Sequence, residues 1–411
     1  MASIGSQFAP HVTLEHATSA IASARRATLA ERYVTSSLTA EWRWFFELPS
    51  IADQWRDLAA RALEPNVFYE PAFALAAAAV FGDNVGAVLV WSGTRPRKLL
   101  GFFPAQLRER RYGFKLPVLM GWTHPYAPLG TPLVEREAAE PVIAAWLSHL
   151  AADQSLPALL LLPLVAADGP FAAALAAIVR RAQMPCAEFG RHRRPLLAPP
   201  ADRAQYVERA LSRHRRKELR RSVRRLTELG ALLFTTATEP AGVTAALGDF
   251  FALEASGWKG RAGTAAADDD AVRRFIKTAL SALSAQRQVA IDRLLLDGRA
   301  VAAAITLFSG DAAWYWKTAY DENLARHAPG MLLTAALTEQ LADNAAITRT
   351  DSVVAPDNTV LDHIWRERLT LSDRLIAVRP APFAHACLFE RLRGTAIAAA
   401  KSIRAQLSAK R

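Results

Sequence analysis

Two stretches of this 411-residue chain run through the same order of elements, and that repetition constrains the fold more than any other feature. In the first, Val85 to Trp91 and Leu99 to Leu107 are apolar runs joined by a Gly- and Pro-containing turn, which reads as a hairpin. Lys115 to Gly121 adds a strand, and an irregular stretch follows, GWTHPYAPLGTPLV over 121–134. Glu135 to Ala152 has helical spacing, Ala158 to Val165 reads as a buried strand and Phe171 to Gln183 as a helix. In the second stretch, Val289 to Leu296 and Ala300 to Phe308 flank Asp297-Gly298-Arg299, a hairpin turn. Ala312 to Tyr320 is the next strand, Asp321 to Pro329 is irregular, and a helix runs from Gly330 to about Asp343. Thr348 to Val354, Thr359 to Arg368 and Leu371 to Val378 then read as strand, helix and strand closing the unit. Tyr126-Ala127-Pro128-Leu129-Gly130 occupies the place in the first copy that His327-Ala328-Pro329-Gly330 occupies in the second. The expectation is an α/β protein of two tandem units, each a mixed central sheet flanked by helices.

The regions around these units differ in charge. Residues 191–225 hold 13 basic and 3 acidic residues, and 389–411 hold 6 and 1, so these blocks carry +10 and +5 of a total of +11, leaving −4 for the rest. The body is mildly acidic and the cationic excess is local. Residues 1–40 read as a mobile leader, 41–200 as the first unit, 201–230 as a basic linking helix, 231–380 as the second unit and 381–411 as a basic amphipathic helix. The leader lacks the uninterrupted apolar core of a signal peptide. The longest apolar run, Leu156 to Ala167, contains two prolines and falls short of the roughly 20 residues a membrane-spanning helix needs. The expected location is the cytoplasm, with contact to the inner face of the membrane through the basic helices.

The second irregular stretch is the first candidate site. A strand, AAWYWKTAYD over 312–321, leads into a loop with Arg326 and Gly330, and the following helix has unpaired N–H groups in its first turn. Gly330 allows close approach of an oxygen and Arg326 offers a charge-assisted contact, so a pyrophosphate fits; the alternative is an ordinary strand-to-helix connection. No G-x-S-x-G elbow occurs, and Cys186 and Cys387 have neither triad nor metal-ligand spacing, so neither nucleophilic catalysis nor a zinc site is indicated. Asp268-Asp269-Asp270 suits capping of a helix beginning near Asp270 better than a metal, because three consecutive carboxylates do not face one point. His149 and Asp153 match an H-x-x-x-D spacing, but on a helix this merely puts both on one face.

The segments WYWKTAYDENLARHAPGMLL (314–333) and EASGWKGRAGTA (254–265) resemble the GNAT superfamily of acyltransferases. Within it they are most similar to the branch associated with bacterial cellulose and polysaccharide biosynthesis, with the Fem peptidyltransferases more distant. The resemblance covers the order of elements from about Trp55 to Val378 and implies tandem acyl-CoA N-acyltransferase folds. Acyl-CoA or acetyl-CoA would be the co-substrate, without a metal. Carried over residue by residue, Arg326, Ala328, Gly330, Met331 and Leu332 would form the pyrophosphate loop, and Trp316, Lys317 and the two residues after them would lie along the pantetheine arm. This loop departs from the common pattern: three residues separate Arg326 from Gly330, and Leu332 replaces a small residue. The first copy has no Arg before Pro128 and is expected to be degenerate as a donor site, helping to form the acceptor cleft.

Acyl transfer to an amine needs a proton acceptor and a proton donor but no covalent intermediate. By position, Glu254 or Asp351 is the expected base and Tyr320 the acid. Trp258, Lys259, Asp357 and His363 are expected at the acceptor, Trp258 and Lys259 also being compatible with packing. The acceptor classes implied are a saccharide or a long-chain lipid. From Tyr206 to Leu229 the chain reads as one helix with Arg213, Arg216, Lys217, Arg220, Arg221 and Arg224 in a cationic stripe. That stripe suits coenzyme A phosphates, a tRNA acceptor stem or anionic lipid. Phe389, Leu392, Ile397, Ile403 and Leu407 give the C-terminal segment a face for a membrane surface or for the protein itself. RNA-recognition motifs are absent, which disfavours nucleic acid in general except a charged tRNA in a Fem-like aminoacyl transfer. A non-catalytic subunit of an envelope-polymer system is the remaining reading.

Overall fold

A computed structural model describes residues 38–93, 96–111, 114–199, 205–355 and 360–409. Most of the expected leader lies outside them. The first half contains β1 (Thr39–Trp44), α1 (Ala52–Arg61), α2 (Pro71–Phe81), β2 (Val85–Trp91), β3 (Leu99–Arg108), β4 (Val118–Gly121), β5 (Leu133–Val134), α3 (Ala139–Ala152), β6 (Leu159–Ala166), α4 (Pro170–Arg181) and β7 (Cys186–Leu197). The second half contains α5 (Tyr206–Ala210), α6 (Arg213–Thr227), β8 (Leu232–Ala237), α7 (Pro240–Ser256), α8 (Trp258–Arg261), α9 (Asp270–Ser284), β9 (Val289–Leu296), β10 (Arg299–Ser309), β11 (Ala312–Tyr320), α10 (Pro329–Asp343), β12 (Arg349–Asp351), β13 (Glu367–Ala377) and α11 (Phe383–Ala409).

The expected hairpins, strands and helices are present except the helix over 359–368, the structure adds α2, β5, β7 and β8, and the local causes of several elements are visible. The Asp297-Gly298 turn takes positive φ at both central residues, the geometry that matches strand twist in a two-residue hairpin. Asp269 caps α9 by accepting from Ala271 and Val272 N–H groups, while Asp270 pairs with Arg273 at 2.6 Å. The basic segment is two helices rather than one. Leu211 is extended and Ser212 starts α6 as its N-cap, accepting from Arg215 N–H, because a serine hydroxyl offers the first turn a partner that helix continuation does not. Residues Val360–His363 form only a short 3₁₀ turn where a helix was expected, and strand β13 begins at Glu367.

The strands form one sheet in the order β1-β2-β3-β4-β6-β13-β7-β12-β11-β10-β9-β8, with β5 beside β3. Strand β13, expected to close the second unit, lies instead between β6 and β7 of the first half, antiparallel to both. In turn β7 reaches across to pair with β12, Leu196 opposite Asp351. Each half therefore completes its sheet with a strand from the other. One face is covered by a continuous apolar core that includes Trp55 and Phe73 from the first half and Phe250, Phe275, Trp314 and Trp316 from the second. The opposite face has two separate cores, one under α3 and α4 and one under α6 and α10. A small central cluster, where Ala386 of α11 meets Leu159, Leu161 and Leu375, lies across β6 from the first of these, which takes the alternate residues Leu160 and Leu162.

Candidate active site

Parallel strands β11 and β12 pair only over Ala312–Trp314 and Arg349–Asp351, then part. Beyond that point β11 carries a bulge. Ile305 of β10 faces Lys317 and Thr306 faces Tyr315, so Trp316 is the extra residue. Strict alternation would send Trp316 and Lys317 to opposite faces. The bulge turns both toward α7: Trp316 joins the continuous core and Lys317 Nζ stands 3.4 Å from Glu254 Oε1. On the opposite face Tyr315 Oη meets Thr334 of α10 at 2.9 Å.

A cleft of about 500 Å³ runs through this parting, lined from one face by Glu254, Trp258 and Lys259 and from the other by Tyr315, Thr318, Tyr320, Ala328, Gly330, Met331 and Thr334. Ala328 sits in the left-handed region, φ 49°, and its carbonyl accepts from both Met331 and Leu332 N–H groups. Since Pro329 has no N–H, Gly330 N–H remains the first-turn donor for a ligand. A Cβ on Gly330 would stand 3.1 Å from the Tyr320 ring.

The floor of the cleft is a charge cluster. Glu254, 3% exposed, accepts from Lys259 Nζ at 2.7 Å and from Ala266 N–H at 2.8 Å. Burial pushes the Glu254 carboxyl up, but Lys317, Lys259 and the Ala266 N–H together outweigh it and hold it below the usual range. Burial lowers the Lys317 ammonium, with Glu254 opposing and Lys259 adding to the shift. Lys317 Nζ also lies 4.9 Å from the Tyr126 ring centroid, and Trp316 Nε1–H donates to Tyr126 O at 2.9 Å. Tyr126 comes from the irregular loop of the first half, so both halves build this floor. Burial, then Glu254 and Asp269, raise the Tyr126 phenol.

The predicted residues thus divide. Glu254, Tyr320, Trp258, Lys259, Ala328, Gly330 and Met331 come together at the cleft, with Trp316 and Lys317 behind it. Trp258 is 60% exposed, and its N–H is pinned by Glu322 Oε1 at 2.7 Å. Leu332 points into the core under α10. Arg326 is exposed and its Nε–H donates to His327 Nε2 at 2.9 Å, away from the cleft lining. Asp351 is spent elsewhere: its carboxylate pairs with buried Arg194 of β7 and accepts from Val353 N–H, at the joint where the halves exchange strands. His363 is exposed at the end of its 3₁₀ turn and Asp357 lies outside the described residues. His149 and Asp153, 3.9 Å apart near the end of α3, stand outside the cleft lining. Sequence reading missed Glu322, Thr334 and Tyr126. Only the equivalence of the two Pro-containing loops pointed toward Tyr126.

The equivalent place in the first half is closed. Gly130 N–H donates to Leu164 O, and a Cβ on Gly130 would lie 2.0 Å from Pro163 O, so the loop rests directly on β6. A strand, β5, follows the loop and α3 begins only at Ala139, which removes the helix N-terminus an anion would use. In the second half, by contrast, α6 packs on α10 and on the turn Glu322–His327, bringing its cations beside the cleft. Arg213, Lys217, Arg220 and Arg221 are exposed and, among the described residues, lie beside no carboxylate at ion-pair distance.

Residues 213–358 match the family model for the acetyltransferase (GNAT) domain. Among solved structures, FemX superposes with a TM-score of 0.55 at 10% identity, covering 82% of this chain and 98% of that one. The C-terminal domain (DUF2156) of a putative lysylphosphatidylglycerol synthetase from Agrobacterium fabrum superposes with a TM-score of 0.50 at 12% identity, covering 84% of this chain and 96% of that one. At these identities the likeness establishes the fold, a tandem GNAT-like arrangement. No curated protein matches the chain in sequence.

Proposed function

We propose that this chain, whose residues 213–358 form an acetyltransferase domain of the GNAT superfamily, moves an acyl group from acyl-CoA to an amine, or a hydroxyl, of a saccharide or long-chain lipid. The observation that carries this reading is the cleft through the parted strands β11 and β12, with a helix N-terminus at one end and the Glu254–Lys259–Lys317 cluster at the other. The donor's phosphates would lie at Gly330 N–H, and its thioester arm would follow β11 past Tyr320 and Thr318 toward Glu254. The acceptor enters beside Trp258 and Lys259, whose aromatic face and charge suit a sugar ring or a polar headgroup.

The transfer is a direct attack. The acceptor nitrogen forms a bond to the thioester carbon, the C–S bond breaks, and the nitrogen loses a proton while the thiolate gains one. Glu254, kept ionised by its lysines, is the proton acceptor in this reading, and Tyr320 the donor to sulfur. The developing oxyanion is met by the ammonium groups of the cluster.

The cationic face of α6 beside the donor cleft favours a second donor equally: an aminoacyl-tRNA, whose acceptor stem that face would hold. The two readings separate in one experiment. A ligand stabilises only the state that binds it, so thermal unfolding is followed with acyl-CoA of increasing chain length and with aminoacyl-tRNA. A rise with acyl-CoA alone supports the first reading and its chain-length optimum reports the acyl group; a rise with tRNA alone supports the second; no response to either removes both.

A further inference from the structure

Helix α11 does two different things along its length. Its first turns dock on the sheet: Ala386 and Glu390 are buried, and Arg111 from the tip of the β3–β4 connection donates to Glu390 from Nη2 at 2.6 Å and from Nε at 2.9 Å. Phe389 stacks on Phe114 of the same tip, centroids 4.9 Å apart. From Arg391 to Ala400 every residue is exposed, so the helix leaves the body while remaining helical. Where it leaves, Phe114 is 56%, Leu388 52% and Leu392 55% exposed. Leu388 and Leu392 are one turn apart and share a face.

This apolar patch is built rather than incidental, because a buried ion pair and a ring stack fix the tip against the helix. The chain on either side of these residues is cationic: Arg108, Arg110 and Lys115 flank the tip and Arg391 and Arg393 follow on the helix, all exposed, against one exposed carboxylate in these segments, Glu109, with Arg393 also reaching Glu390 at 3.4 Å. Among the described residues no helix is long and apolar enough to cross a membrane. Large side chains in water, flanked along the chain by cations and carried on a helix that runs on past the protein, have the composition of an interfacial element. None of these residues lines the donor cleft, so the patch stands or falls independently of the acyl-transfer reading.

We propose that the tip of the β3–β4 connection and the free part of α11 together form a docking surface for an anionic lipid bilayer. Phe114, Leu388 and Leu392 enter the headgroup boundary while the arginines meet lipid phosphates.

The test is sedimentation of the full chain with vesicles of phosphatidylcholine containing roughly 30% phosphatidylglycerol, against phosphatidylcholine alone, at low and high salt. Expected is binding to the anionic vesicles that weakens with salt. Leu388→Glu with Leu392→Glu should weaken it about 100-fold, each losing an apolar insertion and gaining repulsion. Arg110→Glu with Arg391→Glu should weaken it by about 30-fold or more. These side chains are exposed, so melting temperature serves as the control for folding. Absence of binding at low salt, or binding that the leucine changes leave intact, overturns the proposal. So does a self-association in ultracentrifugation that Leu392→Glu abolishes while vesicles are ignored, since the occupant is then a second copy.

Discussion

Asp351 offers the sharpest test, because a sequence-based role as catalytic base and its position in the fold predict opposite outcomes. Asp351 is 5% exposed and Arg194 2% exposed. The carboxylate takes the Arg194 Nη2 bond and the Val353 N–H, while Arg194 Nη1 donates to Pro128 O and its Nε has no partner. Asp351→Asn removes the negative charge but keeps the volume, leaving a buried guanidinium with one carbonyl. Breaking such a pair from one side costs about 3–5 kcal/mol, since an uncompensated charge remains out of water. In a domain of this size that corresponds to a melting temperature lower by roughly 10 °C. Replacing both partners, Arg194→Met with Asp351→Leu, should recover most of the loss, leaving about 1 kcal/mol for the Val353 N–H. The assay pairs denaturant unfolding with kcat measured well below the melting transition. A kcat within a few-fold of wild type, with the stability loss above, is expected. An unchanged melting temperature with kcat down about 100-fold or more would refute the argument and restore Asp351 as the base.

Other outcomes follow from the cleft and its surroundings. Gly330→Asp should abolish acyl-CoA binding by calorimetry with little change in stability, because a carboxylate at the helix N-terminus repels the donor phosphates while Tyr320, 39% exposed, has room to move. Arg326→Ala should leave donor affinity within a few-fold, since its Nε is turned to His327; a loss of about 100-fold would mean that the loop rearranges on binding. Glu254→Gln should lower stability at about pH 7, and since the folded carboxyl is held below its usual value, that difference is full above the unfolded value and shrinks as pH falls through the folded one. The depressed Lys317 acts in the other window: its cost is present below its folded value and disappears as pH rises to its unfolded one. Asp292 is buried, with Oδ2 unpartnered, and pushed up to about 6, so it binds protons more tightly folded than unfolded. Asp292→Asn should therefore raise stability by about 1–3 kcal/mol near pH 8 and by much less near pH 4, read by urea unfolding.

Much of the architecture is written locally. The mostly apolar run Val289–Leu296, the Asp297-Gly298 turn and the Asp269 cap each depend on residues a few positions apart, so short apolar runs and turn chemistry suffice to find them. The loop ending in Pro329-Gly330 announces itself by the same means, and with it one side of the cleft. Residues Glu254 and Tyr320, placed at the cleft from element order alone, do line it.

Only tertiary structure decided what depends on partners distant in sequence. A strand such as β13, half of it only partly buried, carries the same residue pattern whether it pairs with β12 or enters the other half, so the exchange of β7 and β13 is invisible to pattern. That exchange is what turns Asp351 from a candidate base into half of a buried joint with Arg194. Likewise a one-residue bulge at Trp316 reverses the face of Lys317, and so brings it to Glu254, without leaving a trace in composition. Sequence set the elements and the loop because their energetics are short-range. The charge cluster and the joint arise where remote segments lose water together, and only the packed chain brings those segments into contact.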